Sequence, residues 1–146
     1  MMHRARATVA IALLAPLLAG CGPYLLRQSD RLQITSPQTS TTVAQPLTVS
    51  WRAQDFSAPR DGRFAVFVDR DPIAPGSSID DLAPQDRAGV YVVSTTSLQL
   101  KLLIPLAGVD PAEQNHHDVT VVMLDRQGNR IGEYAGFTEF DVVHRS

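Results

Sequence analysis

After residue 30, hydrophobic and polar residues alternate with a period of two in seven separate runs. The alternating runs are short, and Pro, Gly, Asp and Ser residues separate them. They cover residues 31–35, 47–52, 63–70, 90–93, 98–102, 118–125 and 130–143. Because side chains of a strand point to opposite faces in turn, each run predicts a β-strand with one buried face.

Seven such runs with almost no helical pattern predict an all-β fold, namely a seven-stranded antiparallel β-sandwich. The 10 prolines of the chain favour the same fold, since proline is excluded from helix interiors and central strands. The one segment with a helix signal is 109–115, where Asp110 precedes Pro111 as an N-cap would. It has room for one turn only.

Three details of the pattern make finer predictions. Trp51 lies on the same face as Leu47 and Val49, which favours a core position over an exposed ligand platform. The segment 125–129 has Gly and Asn where positive φ is needed, so it predicts the hairpin between the last two strands. Gly132 and Gly136 predict bulges or bends in the final strand.

The spacing of aromatic residues on these runs resembles that of immunoglobulin-like domains, in particular fibronectin type III. Trp51 falls in the second run, Phe64 opens the third, and the run LQLKLLIP leads to VTVVMLD much as the fifth strand leads to the sixth in that family. The resemblance spans about residues 31–143. It departs from the family at the entry to the sixth strand, where His116 and His117 stand in place of the usual tyrosine.

The first 20 residues have the layout of a secretory signal peptide, with Arg4 and Arg6 before an apolar run over 8–18. Pro16 interrupts that run, which is too short for the about 20 residues of a membrane-spanning helix. Residues 18–21, Leu-Ala-Gly-Cys, resemble the lipobox of bacterial lipoproteins. The resemblance implies cleavage before Cys21 and attachment of lipid to it, which anchors the chain in a lipid bilayer.

Cys21 is the only cysteine of the chain, which excludes an intramolecular disulfide and a cysteine-based zinc site. The predicted organisation is therefore a signal peptide over 1–20, a lipidated cysteine and short tether over 21–30, and a β-sandwich domain over 31–146. After cleavage, 11 basic residues stand against 15 acidic ones, a formal charge of −4. This acidity argues against a nucleic-acid partner.

Four aspartates in the loop after the third run, Asp69, Asp71, Asp80 and Asp81, are candidate binding residues. Carboxylates converging in a flexible loop suit calcium, although their spacing does not match an EF-hand. The alternative is that they bond their own backbone in a solvated loop. His116 and His117 are the second candidates, for an ion or a proton, but adjacent residues of a strand point to opposite faces.

No hydrolase, zinc-protease or phosphate-loop motif is present, so the sequence predicts neither catalytic residues nor a cofactor. The expected function is a non-catalytic binding or structural module, held on a membrane of the cell envelope, for another envelope protein. The alternative is a ligand- or calcium-binding lipoprotein that uses the loop 69–81. Gly22 after the cysteine permits sorting to the outer membrane.

Overall fold

The computed structural model describes residues 27–28 and 30–143, so the predicted signal peptide and Cys21 lie outside the described residues. Within this part the chain forms nine strands and two short 3₁₀ helices. The strands are β1 (Arg27–Gln28), β2 (Leu32–Ser36), β3 (Thr41–Ala44), β4 (Leu47–Ala53), β5 (Arg63–Val68), β6 (Val90–Val93), β7 (Ser97–Leu100), β8 (His116–Leu124) and β9 (Arg130–Val143). The 3₁₀ helices are Ile79–Asp81 and Pro84–Arg87.

The larger sheet has six strands and is mixed, not purely antiparallel. Its main order is β1-β9-β8-β5-β6, and β3 also pairs with β9. The long strand β9 takes β1 beside Tyr134 and β3 beside its last four residues, both in parallel. The predicted count of seven antiparallel strands is therefore wrong, because two short strands near the start of the domain add to the outer side of β9.

The smaller sheet, in the order β2-β4-β7, is antiparallel and packs face to face with the larger one. The core between them is formed by Trp51 and Val49 from the small sheet and Phe64, Val121 and Phe140 from the large sheet, with other apolar neighbours. Trp51 is buried and meets Phe64 edge to face, with ring centroids 5.5 Å apart. The prediction of an all-β sandwich with Trp51 in its core is confirmed.

The hairpin between β8 and β9 forms where it was predicted. Asp125 accepts hydrogen bonds at Oδ1 from the amides of Gln127 and Asn129, and Gly128 has φ +88°. These bonds stabilise the ionised carboxylate and lower the pKa of Asp125. The register of β8 against β9 shifts between Val122 and Leu124, opposite the segment that contains Gly132 with φ +59°. The predicted bulge is present there.

The one helix signal of the sequence corresponds to a single turn, as expected. Residues 111–115 form a turn, in which the amide of Ala112 bonds Oδ1 of Asp110 and the amide of Glu113 bonds its carbonyl. The two 3₁₀ helices lie instead in the loop between β5 and β6. None of the helices within residues 30–143 is long and apolar enough to cross a membrane.

The fifth predicted run also ends earlier than expected. β7 stops at Leu100, and Leu102 is 68% exposed instead of continuing the alternation. Leu103 is buried, and the side-chain amide of Gln45 bonds both its carbonyl oxygen, at 2.8 Å, and its amide, at 3.2 Å. A side chain thus takes the place of a strand partner along this segment.

A second, smaller core lies on the outer face of the large sheet. Ala65 and Phe67, which alternate with the inward residues of β5, are fully buried there with Val122 and Leu124 of β8. The loop 69–89 covers them with Ile79, Ile73 and Leu82. This loop is the segment that carries the four candidate aspartates, so the fold uses it first as a cover for apolar surface.

Candidate functional site

The loop 69–89 is fastened to the β8–β9 hairpin by backbone bonds and by one buried arginine. The guanidinium of Arg130 donates to the carbonyl oxygen of Ile73 at 2.6 Å and to that of Glu133 at 3.3 Å. The amide of Arg130 bonds the carbonyl of Ser77, and the amide of Ile79 bonds that of Gly128. Burial lowers the pKa of Arg130, so these carbonyls stabilise a cation with little access to water.

The four candidate aspartates do not converge on one point. Within residues 30–143, no group of three or more His, Cys, Asp or Glu side chains is arranged to hold a metal ion. Asp69 is partly buried at the end of β5, whereas Asp71, Asp80 and Asp81 are exposed. Asp80 and Asp81 belong to the first 3₁₀ helix, whose N-cap Ser78 accepts a bond from the amide of Asp80. The four carboxylates are therefore spread along a loop that packs as a cover.

Asp69 instead connects the start of the loop to β8. Its Oδ2 accepts from Nδ1 of His117 at 2.8 Å, and its Oδ1 accepts from the amide of Asp118 at 3.1 Å. Its own amide donates to the carbonyl of Asp118 at 3.0 Å. Asp69 has φ +54°, a conformation that Asp tolerates better than most residues. Both carboxylate oxygens are thus used to hold the loop against the sheet.

His116 and His117 face opposite sides of β8, as the period of two predicted. His117 is 1% exposed, and its Nε2 atom is buried without a hydrogen-bond partner among the described residues. His116 is exposed, with Nδ1 3.1 Å from Oδ1 of Asp141 and Nε2 3.7 Å from Glu139. The bond to Asp141, with the charges of both carboxylates, raises the pKa of His116.

Asp118 follows His117 on β8, near Asp69 and His116, and is half-buried. Burial, followed by repulsion from Asp69 and Asp71, raises the pKa of Asp118 to about 6. The distal end, meaning the end where β8 begins and β9 finishes, is therefore acidic and sensitive to pH. The sequence indicated neither the partner of Asp69 nor this effect on Asp118, because the groups involved are far apart in the chain.

A small groove of about 140 Å³ opens beside β6 on the outer face of the large sheet. Its apolar lining comes from the loop and from the strand itself, and three charged side chains complete it. The lining residues are Ile79, Leu82, Val90, Val92, Arg63, Arg87 and Asp80. The volume suits one or two side chains and not a drug-sized ligand. The sequence pattern did not indicate Arg63 or Arg87, although the uncharged run VYVV was a usable signal of an open edge.

A second groove, of about 330 Å³ and largely polar, lies where β2 passes the middle of β9. Its lining includes Asp30, Gln33, Thr39 and Phe137. Gln33 is held by Asp30 and by the guanidinium of Arg52, so the polar groups of this wall already bond one another.

No protein-family model and no curated protein matches the chain. Among solved structures, the chain is similar to fibronectin(III)-like modules of Clostridium thermocellum CbhA, with a TM-score of 0.43 and 12% sequence identity. The match covers 76% of this chain and 94% of that one.

Proposed function

We propose that this chain is a lipoprotein of the cell envelope, anchored in a membrane by lipid on Cys21, and that its sandwich is a non-catalytic binding or structural module for another envelope component. The lipobox resemblance at residues 18–21 supports the anchor. The sandwich supports the module, because its loops and edges are displayed on a rigid, filled scaffold.

The observation that carries the proposal is the position of β1. Arg27 and Gln28 pair with Tyr134 and Ala135, so the described domain begins only six residues after Cys21. Six extended residues span at most roughly 20 Å. A domain attached in this way stays close to the bilayer surface.

The direction of β1 also supports one orientation on the membrane. Since β1 runs parallel to β9, its first residue, Arg27, lies at the end of β1 that is nearer the β8–β9 hairpin. The hairpin end carries Arg60 and Arg126, and the guanidinium of Arg126 donates to the carbonyl of Arg60 at 2.8 Å. The distal end carries the acidic groups around Asp118. Anionic headgroups would repel the distal end, so the acidic end faces away from the membrane.

We assign the sandwich to the immunoglobulin-like class, of the fibronectin type III kind. The strand order supports this: β2, β4 and β7 share one sheet, while β5, β8 and β9 share the other, as the equivalent strands do in that class. The fourth predicted run, β6, pairs with β5 and so joins the larger sheet.

In-cell crosslinking tests the module function directly. A photoreactive phenylalanine analogue at Tyr91, at the exposed edge of the domain, is compared with the same analogue at Gln127 on the hairpin, and crosslinked proteins are identified by mass spectrometry. The proposal expects a reproducible protein partner that depends on an intact Cys21. If neither position yields a reproducible partner in intact envelopes, the module function is wrong.

A further inference from the structure

We propose that the free edge of β6 binds an extended segment of a partner protein, which adds to the large sheet as a further strand and places an acidic side chain beside Arg63. The inference rests on the proposed function and names the surface that the partner uses. β6 pairs with β5 on one side and, among the described strands, with nothing on the other.

The register of β6 shows which backbone groups are open. Val68 donates from its amide to the carbonyl of Gly89, which makes these two residues a hydrogen-bonded pair. In an antiparallel ladder such pairs alternate with non-bonded ones. Counting from this pair, Phe67 with Val90 is non-bonded, Val66 with Tyr91 is bonded, and Ala65 with Val92 is again non-bonded. The amides and carbonyls of Val90 and Val92 therefore point outward along the edge.

The side chains at this edge offer no protection against strand addition. β6 consists of three valines and a tyrosine, and Tyr91 and Val92 are 42% and 38% exposed. Natural edge strands are usually blocked by charged residues, proline, bulges or a covering segment. The outer side of β9, by contrast, is occupied by two short strands. An open, apolar edge of this kind is the template that strand-adding peptides use.

The groove beside this edge defines the chemistry of the partner. Val90 and Val92 direct their side chains to the outer face, where they line the groove together with Leu82. A strand paired with them points every second side chain to the same face. One such side chain meets the apolar lining, and the next meets Arg63.

Arg63 is the group that selects for an acid. It is exposed, and no hydrogen bond or ion pair with another described residue is found for its guanidinium. Arg87, in the same groove, donates to the carbonyls of Leu82 and Asp80 at 3.1 and 3.2 Å. With Asp80 as the one carboxylate of the lining, the groove is net positive. A partner segment with an apolar and an acidic residue two positions apart is complementary to it.

The test measures binding of short peptides to the full chain. A blocked heptapeptide, Thr-Val-Thr-Glu-Thr-Val-Thr with a fluorescent label, places valine and glutamate on one face. Controls carry lysine in place of glutamate, or N-methyl groups on the edge-facing amides. We expect a Kd on the order of 100 μM for the glutamate peptide, about fivefold weaker binding of the lysine peptide, and none of the N-methylated one.

Variants of the chain separate the edge from the charge. Arg63→Glu should reverse the preference between glutamate and lysine peptides, and Val92→Pro, which removes an outward amide, should abolish binding of both. Arg126→Glu, on the hairpin, is the matched charge control and should change nothing. The N-methylated peptide keeps the test valid if Val92→Pro does not fold.

Any one of three results would overturn the inference. The first is that the wild-type chain binds neither peptide, and the second is that Arg63→Glu binds both peptides as the wild type does. The third is that sedimentation shows a dimer that Val92→Pro abolishes, because the edge is then occupied by a second copy. The crosslinking experiment above is independent of these outcomes. A partner captured there at another surface would leave the module function intact while this inference failed.

Discussion

Asp69 and His117, 48 residues apart in the sequence, form the bond that closes the distal end of the domain, with Nδ1 of His117 2.8 Å from Oδ2 of Asp69. The histidine is buried on the inner face of β8, and the aspartate begins the loop that covers the outer face of the same sheet. One pair of side chains therefore links the main core to the cover of the second core.

Removing Asp69 should destabilise the domain strongly. In Asp69→Ala the buried Nδ1 of His117 loses its partner, and alanine must adopt φ +54°, which together cost about 3 kcal/mol of unfolding free energy. Asp69→Asn keeps an oxygen acceptor and tolerates the same backbone conformation, so it should cost about 1 kcal/mol. Urea denaturation measures both. A loss below about 0.5 kcal/mol in Asp69→Ala would show that the pair does not stabilise the fold.

The second core predicts that Phe67 contributes strongly to the unfolding free energy, although the sequence alone does not show that this side chain is buried. Phe67 is 0% exposed beneath the loop 69–89, so Phe67→Ala should lower the unfolding free energy by about 3 to 5 kcal/mol. Tyr91→Ala, at the exposed edge, should cost about 1 kcal/mol. Thermal and urea melts compare the two. Equal and small losses would mean that the loop does not cover Phe67 in solution.

The contact between the hairpin and the loop is tested at two glycines with similar backbone angles. A Cβ atom at Gly128 would lie 3.3 Å from Cγ2 of Ile79, whereas none of the described atoms lies within 4 Å of one at Gly76. Their φ angles are +88° and +81°. Gly128→Val should therefore cost about 1 kcal/mol more than Gly76→Val, because only the first adds a clash to the strain. Identical urea midpoints would count against the contact.

The raised pKa of Asp118 predicts a pH-dependent stability with a definite sign. Because the folded pKa of about 6 exceeds the ordinary value of 3.8 for an aspartate, ionisation of Asp118 opposes folding, and stability falls as the pH rises from about 4 to above 6. Asp118→Asn should remove this slope. It should raise the unfolding free energy at pH 7 by about 1 kcal/mol, once screening by solvent is allowed for.

Asp61 provides a control of opposite sign. The Arg60 guanidinium, with the amide of Ser57, lowers the pKa of Asp61 to about 2. Its contribution is therefore present above about pH 4 and is lost as the pH falls through about 2. Asp61→Asn should weaken the fold at pH 7, where Asp118→Asn strengthens it. If both variants change stability in the same direction at pH 7, the account of Asp118 is wrong.

Alternation along the chain was enough to predict most strands and the inner core. It placed Phe64, Val66 and Val68 on one face of β5, and these residues are buried between the sheets. It also placed His116 and His117 on opposite faces. Each of these results depends only on the period of two within one strand, which the sequence displays directly.

Features that depend on distant pairing were missed. The four residues of β3 show only weak alternation of hydrophobic and polar side chains. They form a strand because their backbone pairs with the last residues of β9. The partner of Asp69 depends in the same way on where β8 passes. The four aspartates suggested a site because they are close in sequence, but the loop spreads them as it covers Phe67. Local spacing does not determine such placements.

The central claim, a lipid anchor on Cys21 that holds this sandwich at a membrane, is tested most directly by growing cells with radioactive palmitate and comparing the wild-type chain with Cys21→Ser. Cys21 is the only cysteine, so no other thiol can take up the label. The account predicts label on the wild type, none on Cys21→Ser, and accumulation of the uncleaved precursor of that variant. Equal labelling of the two chains, or none on either, would contradict it.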